Sequence, residues 1–149
     1  MTLAPLSGGL TLDTLRERLA RHGYVEVDEH TLDGVAARTA QLVLLPLDNP
    51  AQRPEFADLL VILPELLSQF GDDAFTVAYA CPPAAAALAR RFGVLRQPAL
   101  VFLHFGALAG TIEGLRDWRE YVQAFARLCA SAAPSGLPGA SNDATGVRP

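Results

Sequence analysis

Apolar segments typical of strands alternate along this chain with segments typical of helices. The clearest strand is QLVLLPL, residues 41–47, whose unbroken apolar run is typical of a strand covered on both faces of a sheet. Further elements are predicted as strands at 24–27, 75–80, 99–104 and 107–112, and as helices at 11–23, 31–38, 55–70, 82–92 and 117–129. This alternation predicts a parallel sheet, to which a closing hairpin at 105–106 adds an antiparallel edge.

The two ends of the 149-residue chain depart from this pattern. We predict a flexible N-terminus over residues 1–10, one folded domain over 11–130, and a disordered tail over 131–149, where small residues, proline and glycine dominate. The first ten residues lack the features of a signal peptide, and no apolar stretch is long enough to span a membrane. We therefore expect a cytoplasmic protein without membrane insertion. The net charge of -4 argues against nucleic acid as a partner, because binding phosphates requires a basic face.

A proline opens the fourth predicted strand, in the stretch GVLRQPALVFLHFGALAGTIEG at residues 93–114. Pro98, Gly106 and Gly114 follow one another at intervals of eight residues, and Pro64 lies inside the long helix at 55–70. This arrangement resembles thioredoxin over residues 24–130. The resemblance implies an α/β, thioredoxin-like fold with a central mixed sheet flanked by helices, to which this chain adds an N-terminal helix. It also implies a cis peptide bond between Gln97 and Pro98, beside a peptide-binding site.

The cysteine pair of redox-active thioredoxins is missing from the sequence. Those proteins carry a C-x-x-C motif at the start of the second helix of their fold, whereas residues 48–64 of this chain contain no cysteine. The chain has two cysteines, Cys81 and Cys129, which the inferred topology places too far apart for a disulfide. Because a mixed disulfide needs a second sulfur to resolve it, dithiol exchange cannot run. We therefore predict a thioredoxin-like protein that is not an enzyme.

Two longer stretches, LLPLDNPAQRPEFADLLVILPELL and FGVLRQPALVFLHFGALAGTIEGLRDWREY, resemble the hydrogenase expression proteins of the HyaE/HupG/HoxO type. These are thioredoxin-like accessory proteins of nickel–iron hydrogenases. The resemblance implies a non-catalytic chaperone, without a cofactor, that binds the precursor of the hydrogenase small subunit. The twin-arginine signal peptide of that precursor is one candidate segment for binding, and other hydrogenase accessory proteins are further candidate partners.

Three acidic residues, Asp48, Glu55 and Asp58, lie at the loop and helix start where thioredoxins carry their cysteines. One interpretation is a solvated helix start whose carboxylates compensate the helix dipole. The other is a docking patch for a basic segment, since carboxylates bind guanidinium groups through two parallel hydrogen bonds. Together with Gln97 and Pro98, whose backbone could bond an extended segment, these acids form the candidate partner-binding site.

Cys81 is the candidate for a reactive thiol. It falls between a predicted strand and a predicted helix, and a helix N-terminus lowers the pKa of a thiol. The default interpretation is a small, partly buried residue. Two alternative functions follow: a single-thiol redox protein that acts through Cys81, or a redox-inactive thioredoxin-like scaffold with another protein partner.

The remaining chemistry-bearing side chains indicate structural roles. The three histidines are scattered singly and lack the spacing of metal ligands, so no metal site is predicted. Trp118, Tyr121 and Phe125 repeat at helical spacing in the last helix and are predicted to face the core, as is Cys129.

Overall fold

The computed structural model describes residues 11–49, 53–71 and 73–132. The N-terminus predicted to be flexible, and the predicted tail from residue 133 onward, lie outside the described residues. The elements follow one another as α1 (Leu12–Arg21), β1 (Val25–Glu26), α2 (Leu32–Ala37), β2 (Gln41–Pro46), α3 (Glu55–Ser68), β3 (Thr76–Ala80), α4 (Ala84–Arg91), β4 (Ala99–His104), β5 (Ala107–Glu113) and α5 (Trp118–Ala132). The predicted order is confirmed, although α5 extends two residues into the segment predicted as the tail.

The five strands form one mixed sheet in the order β1-β3-β2-β4-β5. The first three strands in the chain are parallel, whereas β4 is antiparallel to β2 and β5 is antiparallel to β4. β1 is shorter than the predicted strand at 24–27 because the Tyr24 N–H bonds to the Leu19 carbonyl at 3.2 Å, in the turn that ends α1. The predicted α/β fold with a central mixed sheet is confirmed.

Helices cover both faces of this sheet. On one face α1, α3 and α5 pack over a core that includes Val43 and Leu45 of β2. On the other face α2 and α4 pack over a second core that includes Leu42 and Leu44. The alternation of side chains along a strand therefore feeds two cores from one apolar run, which explains why that run is unbroken.

The aromatic residues of α5 differ in burial. Phe125 is fully buried and contacts three other rings, the nearest being Phe102 with a centroid distance of 4.8 Å. Tyr121 is also buried, as predicted. The prediction for Trp118 is wrong, because its side chain is 44% exposed. Trp118 is the first residue of α5, one turn before the first buried residue of the helix, so helical spacing alone does not carry it into the core.

We expect Phe125→Ala to lower the free energy of unfolding by about 3–5 kcal/mol, because it leaves a cavity among packed rings. Trp118→Ala should lower it by less than about 1 kcal/mol, since its side chain is partly in water already. Urea unfolding of the two variants and the parent protein at one pH measures both effects. Equal losses would contradict the different burial of the two side chains.

Candidate functional site

The candidate site lies at the end of the sheet where the parallel strands finish. β2 and β4 pair so that Leu44 faces Val101, and continuing this register places Pro98 opposite Leu47, the residue before Asp48. The Leu47 N–H donates to the Ala80 carbonyl at 2.9 Å, which places the residue after β3, Cys81, at the same end. The sheet thus brings the loop that begins at Asp48, Pro98 and Cys81 to the same end.

Gln97 and Pro98 are joined by a cis peptide bond, as the resemblance implied. Pro98 is buried, and its carbonyl accepts a hydrogen bond of 2.8 Å from the Gly114 N–H. Within the described residues the main-chain N–H and C=O of Gln97 make no hydrogen bond. The side-chain oxygen Oε1 of Gln97 is buried and also has no partner there. Gln97 therefore keeps main-chain and side-chain hydrogen-bonding groups without a partner among the described residues.

Glu113, which the sequence analysis missed, holds the loop that leads to Gln97. Its Oε1 accepts hydrogen bonds from the N–H groups of Leu95 at 2.8 Å and Arg96 at 3.0 Å. The Arg96 guanidinium lies over Gly114, where an added Cβ would be 3.6 Å from Nη2. Glu113 is 17 and 18 residues from the groups it binds, so no local pattern in the sequence indicates this role.

The three predicted acids do not have equal freedom. Asp48 forms an ion pair with Arg53, in which Nε donates to Oδ2 at 3.0 Å, and Oδ1 accepts from the Asn49 N–H at 2.8 Å. Glu55 and Asp58 are exposed in the first turn of α3, and neither forms an ion pair within the described residues. Sequence analysis missed Arg53, which competes with any incoming guanidinium for Asp48.

The surroundings of Cys81 do not lower the pKa of its thiol, as a reactive thiol at a helix N-terminus would require. Burial and the neighbouring carboxylate of Glu26, through its charge and its hydrogen bond, together raise the pKa of its thiol to about 11, against the lowering effect of Arg16. Arg16 and Glu26 form an ion pair beside it, with Nη2 and Oε1 3.0 Å apart. The thiol is therefore protonated at neutral pH, the reverse of the acidified thiol that the redox alternative requires.

Two further classes of site find no support in the described part of the chain. There, no three His, Cys, Asp or Glu side chains come together as metal ligands would. His104, for example, bonds through Nδ1 to the Ala40 carbonyl at 2.8 Å. None of the described helices is long and apolar enough to cross a bilayer.

A mixed sheet with a cis proline at its end, and no cysteine at the start of α3, defines a thioredoxin-like protein that lacks the dithiol. A thioredoxin from Halobacterium salinarum shares this fold, with a TM-score of 0.53 and 23% identity over 76% of this chain and 93% of that one.

Similarity at the level of sequence is more specific. The family model of the hydrogenase-1 expression protein HyaE matches residues 15–121. The hydrogenase expression/formation protein HoxO of Cupriavidus necator is 38% identical over 140 residues, covering 93% of this chain and 86% of that protein. HupG of Bradyrhizobium diazoefficiens is 39% identical over 114 residues, covering 74% and 76%. The chain therefore belongs to the HyaE family of hydrogenase expression proteins, which confirms the resemblance.

We expect the alkylation of Cys81 by iodoacetamide to be slow at pH 8, where a pKa of about 11 leaves about one thiol in a thousand ionised. Its rate should rise with pH toward a midpoint near 11. Glu26→Gln should shift that midpoint downward, because it removes the charge and the hydrogen bond that favour the protonated thiol. The measurement uses a Cys129→Ser background, so that Cys81 is the sole reporter. A midpoint below 9, the ordinary value for a thiol, would restore the reactive-thiol interpretation.

Proposed function

We propose that this chain is a non-catalytic accessory protein that acts as a chaperone for the precursor of the nickel–iron hydrogenase small subunit. Membership of the HyaE family supports a role in hydrogenase expression and formation. The precursor is the partner that the resemblance implies, with its twin-arginine signal peptide as the docking segment. Within this proposal the complex forms in the cytoplasm, before export.

The observation that carries the proposal is a start of α3 that bears acids where thioredoxins carry cysteines, at the same end of the sheet as Gln97. Gln97 has main-chain groups that no described residue bonds, which suits an extended segment of the partner. Glu55 and Asp58 stand at the start of α3 without ion pairs in the described part of the chain. An extended segment that carries arginines could thus bond to Gln97 and pair with these carboxylates.

The geometry around Cys81 disfavours the single-thiol alternative. A thiol with a pKa of about 11 supplies little thiolate at neutral pH, and thiolate is the nucleophile in thiol–disulfide exchange. The charge of Glu26 contributes to this raised pKa, because it opposes formation of a second negative charge on sulfur. The scaffold alternative differs from our proposal only in the partner, which a binding experiment decides.

We expect replacement of the three acids by their amides (Asp48→Asn, Glu55→Gln and Asp58→Asn together) to weaken binding of the precursor and reduce its salt dependence. The change removes three negative charges and keeps the shape of the side chains. Fold stability should change by less than about 1 kcal/mol for each exposed group. Biolayer interferometry against the precursor, with and without its signal peptide, measures the affinity at two salt concentrations.

Two control variants test the direction of the change in affinity and its specificity for the acid patch. Arg53→Gln frees the Asp48 carboxylate from its ion pair and should strengthen binding of an arginine-bearing segment. A second triple variant, Glu29→Gln, Glu65→Gln and Asp73→Asn, removes the same charge from other exposed sites and should leave binding close to that of the parent. Unchanged affinity in the folded acid-patch variant would move the interface to another surface. Capture of a different protein with no affinity for the precursor would favour the scaffold alternative.

We expect no catalysed reduction of insulin by this protein in the presence of dithiothreitol, because residues 48–64 contain no cysteine and the chain therefore lacks the C-x-x-C pair that resolves a mixed disulfide. Turbidity of precipitating insulin chains is the readout, with a dithiol thioredoxin as the positive control. Cys81→Ser should be indistinguishable from the parent. Turnover at the level of the thioredoxin would contradict a non-catalytic function.

A further inference from the structure

The two edges of the sheet differ in how they are protected. β1 forms one edge and has two residues, whereas β5 forms the other and has seven. From Ala107 to Ile112, β5 carries neither a charge nor a proline, although charge, proline and short length are the usual means of blocking an edge. A bulge interrupts its pairing with β4 near Ala109, which leaves Gly110–Glu113 as the regular part of the edge.

The register shows which main-chain groups of β5 face outward. The Gly114 N–H donates to the Pro98 carbonyl at 2.8 Å, and bonded pairs alternate with non-bonded pairs in an antiparallel ladder. Ile112 therefore bonds toward β4, whereas Thr111 and Glu113 direct their N–H and C=O groups to the open edge. The carbonyl of Glu113 accepts from Arg116 Nε at 3.1 Å, in agreement with this alternation. Both groups of Thr111 and the Glu113 N–H make no hydrogen bond within the described residues.

α5 turns this open edge into one side of a groove. Leu128 fills the space above Gly110 so closely that an added Cβ would lie 2.7 Å from its Cδ2, which brings the helix directly alongside the strand. The groove between them has a volume of about 290 Å³, with Ile112 and Ala124 among its apolar lining residues. Its length runs from Arg116 toward Arg127.

The groove is lined by charges of both signs, and its two arginines, Arg116 and Arg127, have no ion-pair partner in the described part of the chain. Two carboxylates also line the groove, but both bond to main-chain N–H groups: Glu113 to the loop at 95–96, and Glu120 to the Asp117 N–H at 3.3 Å. The two arginines are thus free to bind carboxylates of a ligand.

We propose that this groove binds an extended, acidic segment of another protein, which joins the sheet as a sixth strand beside β5. The main chain of that segment pairs with Thr111 and Glu113, and its acidic side chains reach Arg116 and Arg127. This surface is distinct from the acid patch at Asp48, Glu55 and Asp58, and it takes a ligand of the opposite charge. It does not depend on the identity of the precursor.

A fluorescein-labelled heptapeptide of alternating valine and glutamate, acetylated and amidated, is a suitable probe, with binding followed by fluorescence anisotropy. Replacing its glutamates by glutamine should weaken binding, because the two arginines lose their partners. N-methylation of alternate residues should weaken binding roughly tenfold or more when it blocks the N–H groups that face β5, and little when it blocks the other set. This asymmetry is the signature of strand addition and requires no change in the protein.

Variants of the protein test the same contacts from the other side. Thr111→Pro removes an outward N–H and no bond to β4, a position at which an edge strand tolerates proline, and it should weaken binding roughly tenfold. Thr111→Val keeps that N–H and should bind like the parent. Arg116→Gln with Arg127→Gln should weaken binding and flatten its salt dependence, whereas Arg18→Gln with Arg21→Gln on α1 removes the same charge elsewhere and serves as the matched control. The acid-patch variant should bind this probe as the parent does, which separates this proposal from the proposed function.

Several outcomes would overturn the inference. They are no binding of the glutamate peptide at millimolar concentration, equal affinity for the glutamine peptide, equal effects of the two methylation patterns, and full affinity in Thr111→Pro. Sedimentation equilibrium adds one more: a parent dimer that Thr111→Pro converts to a monomer would assign the edge to a second copy of this chain instead.

Discussion

The central strand β2 buries its side chains on both faces of the sheet. Val43 and Leu45 enter one core while Leu42 and Leu44 enter the other, and each of them is no more than 1% exposed. Full burial of such a side chain contributes about 1.5–3 kcal/mol relative to exposure. Helices must therefore cover both faces, and β2 must lie between β3 and β4. That position delivers the loop after β2 to the sheet end that also holds Pro98, so the location of the candidate site follows from the packing of this strand.

Main-chain hydrogen bonding then determines what this end of the molecule can bind. Glu113 satisfies two N–H groups of the loop before Gln97 and thereby fixes a loop whose last residue keeps its own main chain open. The same strand exposes the main chain of Thr111 at its outer edge. Acids border the first opening, whereas Arg116 and Arg127 border the second together with Glu113 and Glu120.

The protein differs from dithiol thioredoxins both in the cysteines at the start of α3 and in the surroundings of the Cys81 thiol. The start of α3 has no sulfur, and the Cys81 thiol at this end of the sheet stands beside a carboxylate that favours its protonated form. In dithiol enzymes the environment of the nucleophilic thiol lowers its pKa, whereas here burial and Glu26 act in the opposite direction. The parts of the fold that are retained are the mixed sheet and the cis proline at its end.

The hydrophobic periodicity and the positions of proline, glycine and cysteine were sufficient to predict four features. These are the order of the elements, the burial of 41–47 on both faces, Pro98 at the start of a strand, and the loss of the dithiol. Each of them depends on residues that are neighbours in the chain. The features that decide chemistry were not accessible in that way. The thiol pKa depends on burial and on Glu26 and Arg16, which are far from Cys81 in sequence, and the loop before Gln97 depends on the carboxylate of Glu113 in β5. Trp118 has the spacing of a core residue and yet is 44% exposed, since burial depends on where a helix begins relative to the sheet. Charge, hydrogen bonding and exposure are set by distances through space, and those distances exist only once the two cores have formed.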